Sequence, residues 1–285
     1  MMALFCFLIF LNNIFIKWYP HKDTLYIGEG IVLILKVKST DSFPQKAFFF
    51  PANQYYLENG GLRIKWNNKI YYWHGEEELI YPMPDSIILN PEESAYSIYP
   101  LILFWKKFSP KDEDPLSLKE GKMSFYLPLL VFKGFKKDDT TKDYIKKVSN
   151  NTEEIKDSFT IYFKIPKIDK EFFNEIINFS GIPLKWDTLK KKIEICKKYN
   201  DTIFLPYFLY YSVFYYNEKK EAKSFLEELR KRFQRHIMRE LAEVSLAHHL
   251  SFLSRKKEAN ELLKKIKKKY PNNFDIKRIE MEIGK

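Results

Sequence analysis

Two periods of apolar residues divide the chain near Pro166: before it apolar and polar side chains alternate every second position in short runs, and after it apolar residues recur every three to four. The clearest alternating run spans 31–38. Ile31, Leu33, Leu35 and Val37 share one face, while Val32, Ile34, Lys36 and Lys38 share the other, which turns polar toward its end. This predicts a strand with one side fully inward. Similar short segments at 14–19, 24–27, 47–50, 62–66, 70–73, 86–89, 95–104, 122–131 and 158–165 are rich in β-branched and aromatic residues and are bounded by Asn, Gly, Pro or Asp. Asn59-Gly60-Gly61 and Asn67-Asn68 read as hairpin turns, and the Lys/Asp/Asn/Thr-rich tract 133–152 as a long loop.

Helical spacing begins at residue 170. Phe172, Phe173, Ile176, Ile177 and Phe179 fall near one face, Ser180-Gly181 ends that helix, and Leu189, Ile193 and Cys196 are in step in a second helix over 187–199. Then one unit is written twice. The segment LYYSVFYYNEKKEAKSFLEELRKRF (209–233) falls without a gap on LAHHLSFLSRKKEANELLKKIKKKY (246–270), a shift of 37 residues that pairs Ala222 with Ala259. Each copy predicts two helices, the first pair broken at Asn217. Two such units expose apolar faces that neighbours must cover, so 170–199 and 274–283 are the expected caps.

Leu246-Ala247, Leu250, Ala259, Leu263 and Pro271 stand in the order of the tetratricopeptide pattern L-G-x2-Y…A-x3-F…P, and the repeat resembles that family. Tyr210 in place of the small residue, Gln234 in place of the proline and a longer period are departures. The resemblance implies a scaffold whose protein or peptide partner lies along the first helix of each repeat. Carried over by position, that surface comprises Tyr207, Tyr211, Phe214, Tyr215, His248 and Phe252. In the first half, a strand ending at Pro20, a short strand and a Gly28-Glu29 turn into the long strand 31–38 resemble the opening of a bacterial immunoglobulin-like or fibronectin-like β-sandwich. The expected architecture is therefore multidomain: an all-β immunoglobulin-like sandwich over 14–166 and an all-α tetratricopeptide-like array over 167–285.

Residues 2–11, MALFCFLIFL, are an unbroken apolar run. That length suits the core of a secretory signal and is short of the roughly 20 residues of a bilayer span, so 1–13 reads as a signal peptide or membrane anchor. Export to the periplasm or cell envelope is the expectation. The run lacks a basic flank and an A-x-A site, and its alternative is the buried first strand of a cytosolic protein. The net charge of +11 lies wholly from Leu184 onward. A basic face attracts nucleic acid, anionic lipid or acidic protein, but a solvated lysine-rich surface in a chain rich in Lys, Ile, Phe, Tyr and Asn throughout is the simpler reading.

The chemistry-bearing motifs are few. Cys6 and Cys196 fall in the apolar run and in a helix, so neither a structural disulfide nor a zinc knuckle is expected. The two candidate metal clusters are His74-Gly75-Glu76-Glu77-Glu78, which reads as a solvated loop, and Asp112-Glu113-Asp114, where Pro115 and Leu116 occupy the places of later calcium ligands. There is no phosphate-binding glycine motif, no G-x-S-x-G and no H-E-x-x-H. No catalytic, cofactor or metal residues are assigned. A non-enzymatic envelope binding or scaffold protein is the leading expectation; the alternatives are a hydrolase of envelope polymer with acidic residues in the β half, and a cytosolic nucleic-acid binder using the basic half.

Overall fold

A computed structural model of the chain describes residues 14–40, 45–49, 63–66, 69–72, 85–101, 120–135, 152–177 and 185–284. The apolar run 2–11, both candidate metal clusters, the hairpin turns at 59–61 and 67–68 and most of the tract 133–152 lie outside them.

Among the described residues, ten strands precede seven helices: β1 (Ile14–Pro20), β2 (Thr24–Tyr26), β3 (Ile31–Ser39), β4 (Gln45–Phe49), β5 (Arg63–Trp66), β6 (Lys69–Tyr72), β7 (Asp85–Leu89), β8 (Ser94–Leu101), β9 (Gly121–Phe135) and β10 (Thr152–Lys164), then α1 (Lys170–Ile177), α2 (Trp186–Lys198), α3 (Leu205–Tyr211), α4 (Lys220–Arg232), α5 (Ile237–Phe252), α6 (Lys256–Lys269) and α7 (Phe274–Ile283). A 3-10 turn, Ser212–Tyr215, continues α3. One sheet has the order β1-β3-β8, all antiparallel. The other has the order β2-β10-β9-β4-β7, with β2 parallel to β10, and the β5-β6 hairpin joins the same side of β9 as β4 at a different height.

The pleat of β3 explains how the halves meet. Ile31, Leu33, Leu35, Val37 and Ser39 are all buried, as the alternation predicts. Val32 on the opposite face is buried too, because it joins Ile98 of β8 in one apolar cluster with the helices. Further along that face Lys36 and Lys38 return to solvent. Gly28, at φ 87°, forms the turn that feeds this strand, with the Glu29 N–H donating to the Tyr26 carbonyl at 2.9 Å.

Within the helical half, the two copies of the repeat bury matching positions. Ala222 and Ala259 are wholly buried, as are Leu226 with Leu263 and Leu229 with Ile266. Asn200 and Ser254 take left-handed φ at the ends of α2 and α5, where the next N–H reaches back to the Cys196 and Leu250 carbonyls. Helix α7 covers α5 and α6, and α2 covers α3, so both expected caps are in place.

Candidate docking surface

The six residues expected to line a docking face separate into two groups. Tyr207 and Tyr211 are 3% and 5% exposed and belong to the core, so the expectation that they face a partner is corrected. Every residue of α3 is buried, because the helix is packed between α2, α4 and α5 and also meets the β half. LPYFLYY has no polar face, and a helix that is apolar all round is an interior helix. The signal was in the sequence; the carried-over family position overrode it.

The other four retain access. Phe214, in the 3-10 turn, is 46% exposed and rests against Tyr210 and Tyr211 at ring distances of 6.0 and 6.1 Å. Tyr215 is half-buried against Trp186, 5.2 Å away. On α5, His248 lies 4.7 Å from the ring of Phe252 and pairs through Nε2 with Glu282 of α7 at 3.3 Å. Phe252 itself is 74% exposed, and Leu253 beside it is 44% exposed. The structure thus brings Tyr211 to Phe214 and His248 to Phe252 as two pairs. Next to the second, Arg255 hydrogen-bonds Asn217 in the turn of the first repeat and chelates Glu258 through Nε (2.7 Å) and Nη2 (2.5 Å), fixing the end of α5.

Behind this surface lies a polar seam that sequence reasoning did not find. Glu29, 2% exposed, accepts from Tyr207 Oη at 3.0 Å and from the Tyr26 N–H at 3.0 Å, and pairs with Lys22. Burial, then the Glu29 charge, raises the Tyr207 phenol far above its ordinary value, so it is the donor at every ordinary pH. On the other flank, Tyr96 Oη donates to Glu240 Oε1 at 2.6 Å and Asn273 Nδ2 donates to the same oxygen at 2.9 Å. Ser97 bonds Asp275, and Lys277 pairs with Glu93. The Tyr96 N–H donates to the Asn272 carbonyl at 2.9 Å, so β8 and the start of α7 also share backbone pairing.

Two histidines face each other across the seam. His21 follows β1 and His236 precedes α5, with ring centroids 6.2 Å apart, and His236 also meets Tyr207 at 5.5 Å. His236 Nδ1 accepts the Met238 N–H at 3.2 Å and so caps α5 in its neutral form. Burial, followed by Lys22 and His21, pulls His236 down to about 4. Burial and Lys22 lower His21 as well, against an opposing pull from Glu29.

A second hub is Glu243 on α5, buried and approached by Arg239 Nε (3.3 Å), Arg230 Nε (3.6 Å), Lys269 Nζ (3.1 Å) and Tyr270 Oη (3.1 Å). It ties α4, α5 and α6 together, which is a structural use of its charge. Cys196 is fully buried, and burial raises its thiol well above the ordinary value, so it stays protonated and inert. No group of three or more His, Cys, Asp or Glu able to hold a metal occurs among the described residues, and no described helix is long and apolar enough to cross a membrane. An open cleft of 520 Å³ between α1 and α2 is lined by Glu175, Asp187, Thr188, Lys191, Lys192 and Ile195.

No protein-family model matches the chain, and no curated protein matches it. Among solved structures, a β-glucosidase from Listeria innocua in complex with isofagomine is similar over 53% of this chain at 9% identity and a TM-score of 0.25, and the chain covers 16% of that enzyme. The CARDB domain of a Pyrococcus furiosus protein in complex with di-metal ions is similar over 54% of this chain and 94% of its own length, at 9% identity and a TM-score of 0.22. A PapD-like domain of human CEP192 is similar over 53% of this chain and 87% of its own length, at 9% identity and a TM-score of 0.27. The last two are immunoglobulin-like β domains, but at these TM-scores none of the likenesses carries an argument about this chain's activity.

Proposed function

We propose that the chain is a non-enzymatic binding or scaffold protein of the cell envelope, in which a tetratricopeptide-like array, held on an immunoglobulin-like β-sandwich, docks a protein or peptide partner at the end of α5. One observation carries the reading: Phe252 and Leu253 are adjacent, 74% and 44% exposed, at the end of a helix whose other large apolar residues are buried or half-buried. An aromatic side chain presented on a rigid helix end is a good interface anchor. The gap-free repeat, with matching alanines at its close crossings, supports the likeness to tetratricopeptide arrays, and the apolar run 2–11 supports export.

Burying the exposed three-quarters of a phenylalanine is worth about 1.5–2 kcal/mol, so losing it weakens docking by at least about tenfold. The test is selection of peptides on the intact chain from a random display library, followed by measurement of the selected peptides on Phe252→Ala. Binding is expected to fall at least about tenfold with an unchanged melting temperature. Equal binding by wild type and variant removes the docking assignment. Recovery of the native chain in the soluble cytoplasm, starting at Met1 or Met2, removes the envelope assignment.

A further inference from the structure

We infer that α2, α4 and α6 form one basic outer layer that docks on a membrane surface rich in anionic lipid. The observation is where the charge lies in three dimensions. The three helices carry net charges of +3, +2 and +5, together ten of the chain's +11. By contrast α3 is neutral, and α5 and α7 each carry −1.

Side-chain contacts link successive members of this set. Lys190 pairs with Glu221 at 3.3 Å and Lys197 with Glu228 at 2.5 Å, so equal steps along α2 and α4 bring successive partners together and the two helices run parallel. Lys223 of α4 and Arg255, just before α6, both lie over the Tyr216 ring, 5.1 and 5.9 Å from its centroid, which brings the start of α6 to the first turns of α4. Each helix turns its apolar stripe inward: Leu189, Ile193 and Cys196; Ala222, Phe225, Leu226 and Leu229; Ala259, Leu263 and Ile266. The opposite faces are what solvent meets. There Lys191, Lys231, Lys257, Lys264, Lys265 and Lys268 have no carboxylate partner among the described residues.

The chemistry of this layer favours a lipid surface over nucleic acid. Thirteen or fourteen residues make each helix about 20 Å long, so the lysines of the three helices are spread over an extended surface. All its cations are lysines except Arg230 and Arg232, and both of these are engaged by glutamates. Lysines act as point charges and lack the planar fork that reads a base edge or grips a phosphate at two points. Within the three helices the aromatic residues are Trp186 and Phe225, which stack on each other at 5.9 Å rather than stand open to bases. Diffuse positive charge over an extended area suits the smeared negative potential of a lipid surface.

The inference does not rest on docking at Phe252, and its test uses a different readout. The full chain is sedimented with vesicles containing about one-third phosphatidylglycerol and with neutral phosphatidylcholine vesicles, at low salt and at high salt where charges beyond a few ångströms are screened. Expected are at least about tenfold stronger partitioning onto the anionic vesicles, loss of it at high salt, and at least about tenfold loss in Lys257→Glu/Lys264→Glu/Lys265→Glu/Lys268→Glu. The same four positions changed to Gln serve if the Glu variant does not fold; retained ellipticity is the control. Equal binding to neutral vesicles, or binding that survives high salt or the substitutions, assigns attachment to another part of the chain and overturns the inference. Tighter binding to duplex DNA or RNA than to the anionic vesicles at the same salt, lost in the same variant, overturns it in favour of nucleic acid.

Discussion

Replacing Tyr207 with Phe removes one oxygen, and the structure says what that oxygen does. It donates to a carboxylate that is 2% exposed, from a ring that is 3% exposed, and residue 29 is on the β half while residue 207 is on α3. A hydrogen bond to a charged group in such surroundings contributes about 1.5–3 kcal/mol. Glu29 keeps Lys22 and the Tyr26 N–H, so no charge is orphaned and Tyr207→Phe is expected near the lower end, about 1.5–2 kcal/mol. Glu29→Ala is different in kind. It strands the buried Tyr207 hydroxyl, leaves the part-buried Tyr26 N–H without its acceptor, and is expected to cost about 3 kcal/mol. In the Glu29→Ala background Tyr207→Phe should then cost under about 0.5 kcal/mol, since the hydroxyl has lost its acceptor. The assay is urea unfolding followed by far-ultraviolet circular dichroism for the helices and by tryptophan fluorescence, which includes the buried Trp18 of β1. Both probes should move together, because the seam couples the halves. A loss under about 0.5 kcal/mol for Tyr207→Phe alone, or additive costs in the double variant, would refute the claim that this bond fastens the two halves.

Acid should loosen the same seam. His236 sits at about 4 in the folded chain against 6.5 in the unfolded one, so the unfolded state takes the proton first; the stability it contributes is complete above 6.5 and is lost as pH falls toward 4. The size is about 3 kcal/mol at most, reduced by the ring's partial exposure, and His21, lowered beside Lys22 and facing Glu29, acts in the same direction. His236→Asn keeps an acceptor for the Met238 N–H and should flatten the urea midpoint between pH 7 and 5; a variant profile parallel to the wild type would sink the assignment. A separate prediction concerns Asp201, a buried carboxylate that accepts from the N–H groups of Ile203 (3.1 Å), Phe204 (2.8 Å) and Leu205 (2.7 Å) at the start of α3. Asp201→Ala should lower stability by about 2–3 kcal/mol and Asp201→Asn by about half of that, read from thermal unfolding; equal effects would mean that volume, not hydrogen bonding, sets the cost.

What was legible in the sequence was whatever is encoded locally. The start of β3 at Ile31 and the turn at Gly28-Glu29 stand as expected, because alternation and a glycine at positive φ are properties of a few neighbouring residues. The strands β9 and β10 run further than expected, to Phe135 and from Thr152, because Phe132 pairs with Thr152 and Val131 with Glu153. The charged residues at the start of β10, Glu153, Glu154 and Lys156, have weak strand preference; what holds them in a ladder is the partner strand. Both helices of the second copy were legible by their period, and so was the burial of Cys196. Helix α3 was legible as well, had its unbroken apolar composition been weighed above its place in the repeat.

The seam could not be read in this way, and the reason is distance along the chain. Its bonds join residues 178, 144, 178 and 184 positions apart, and Glu29, Tyr96, Ser97 and Glu93 each have an ordinary local setting: a turn, a strand face, a strand face, a turn. Nothing in a window of ten residues marks Glu29 as buried rather than solvated. Its carboxylate becomes informative only when α3 brings Tyr207 to it. The same holds for charge, since the excess is visible in the sequence but the parallel register of α2 and α4 is seen only in the pairs Lys190–Glu221 and Lys197–Glu228. That register also gives the molecule two opposed kinds of surface. The inner helices spend their polar groups on the seam, leaving apolar side chains at the end of α5, while the outer helices keep unpaired lysines facing away from the core. Placing the charge outside is compatible with the buried seam, because Glu29 already receives its donors from Lys22, the Tyr26 N–H and Tyr207, Glu240 from Tyr96 and Asn273, and Asp275 from Ser97, none of them on α2, α4 or α6.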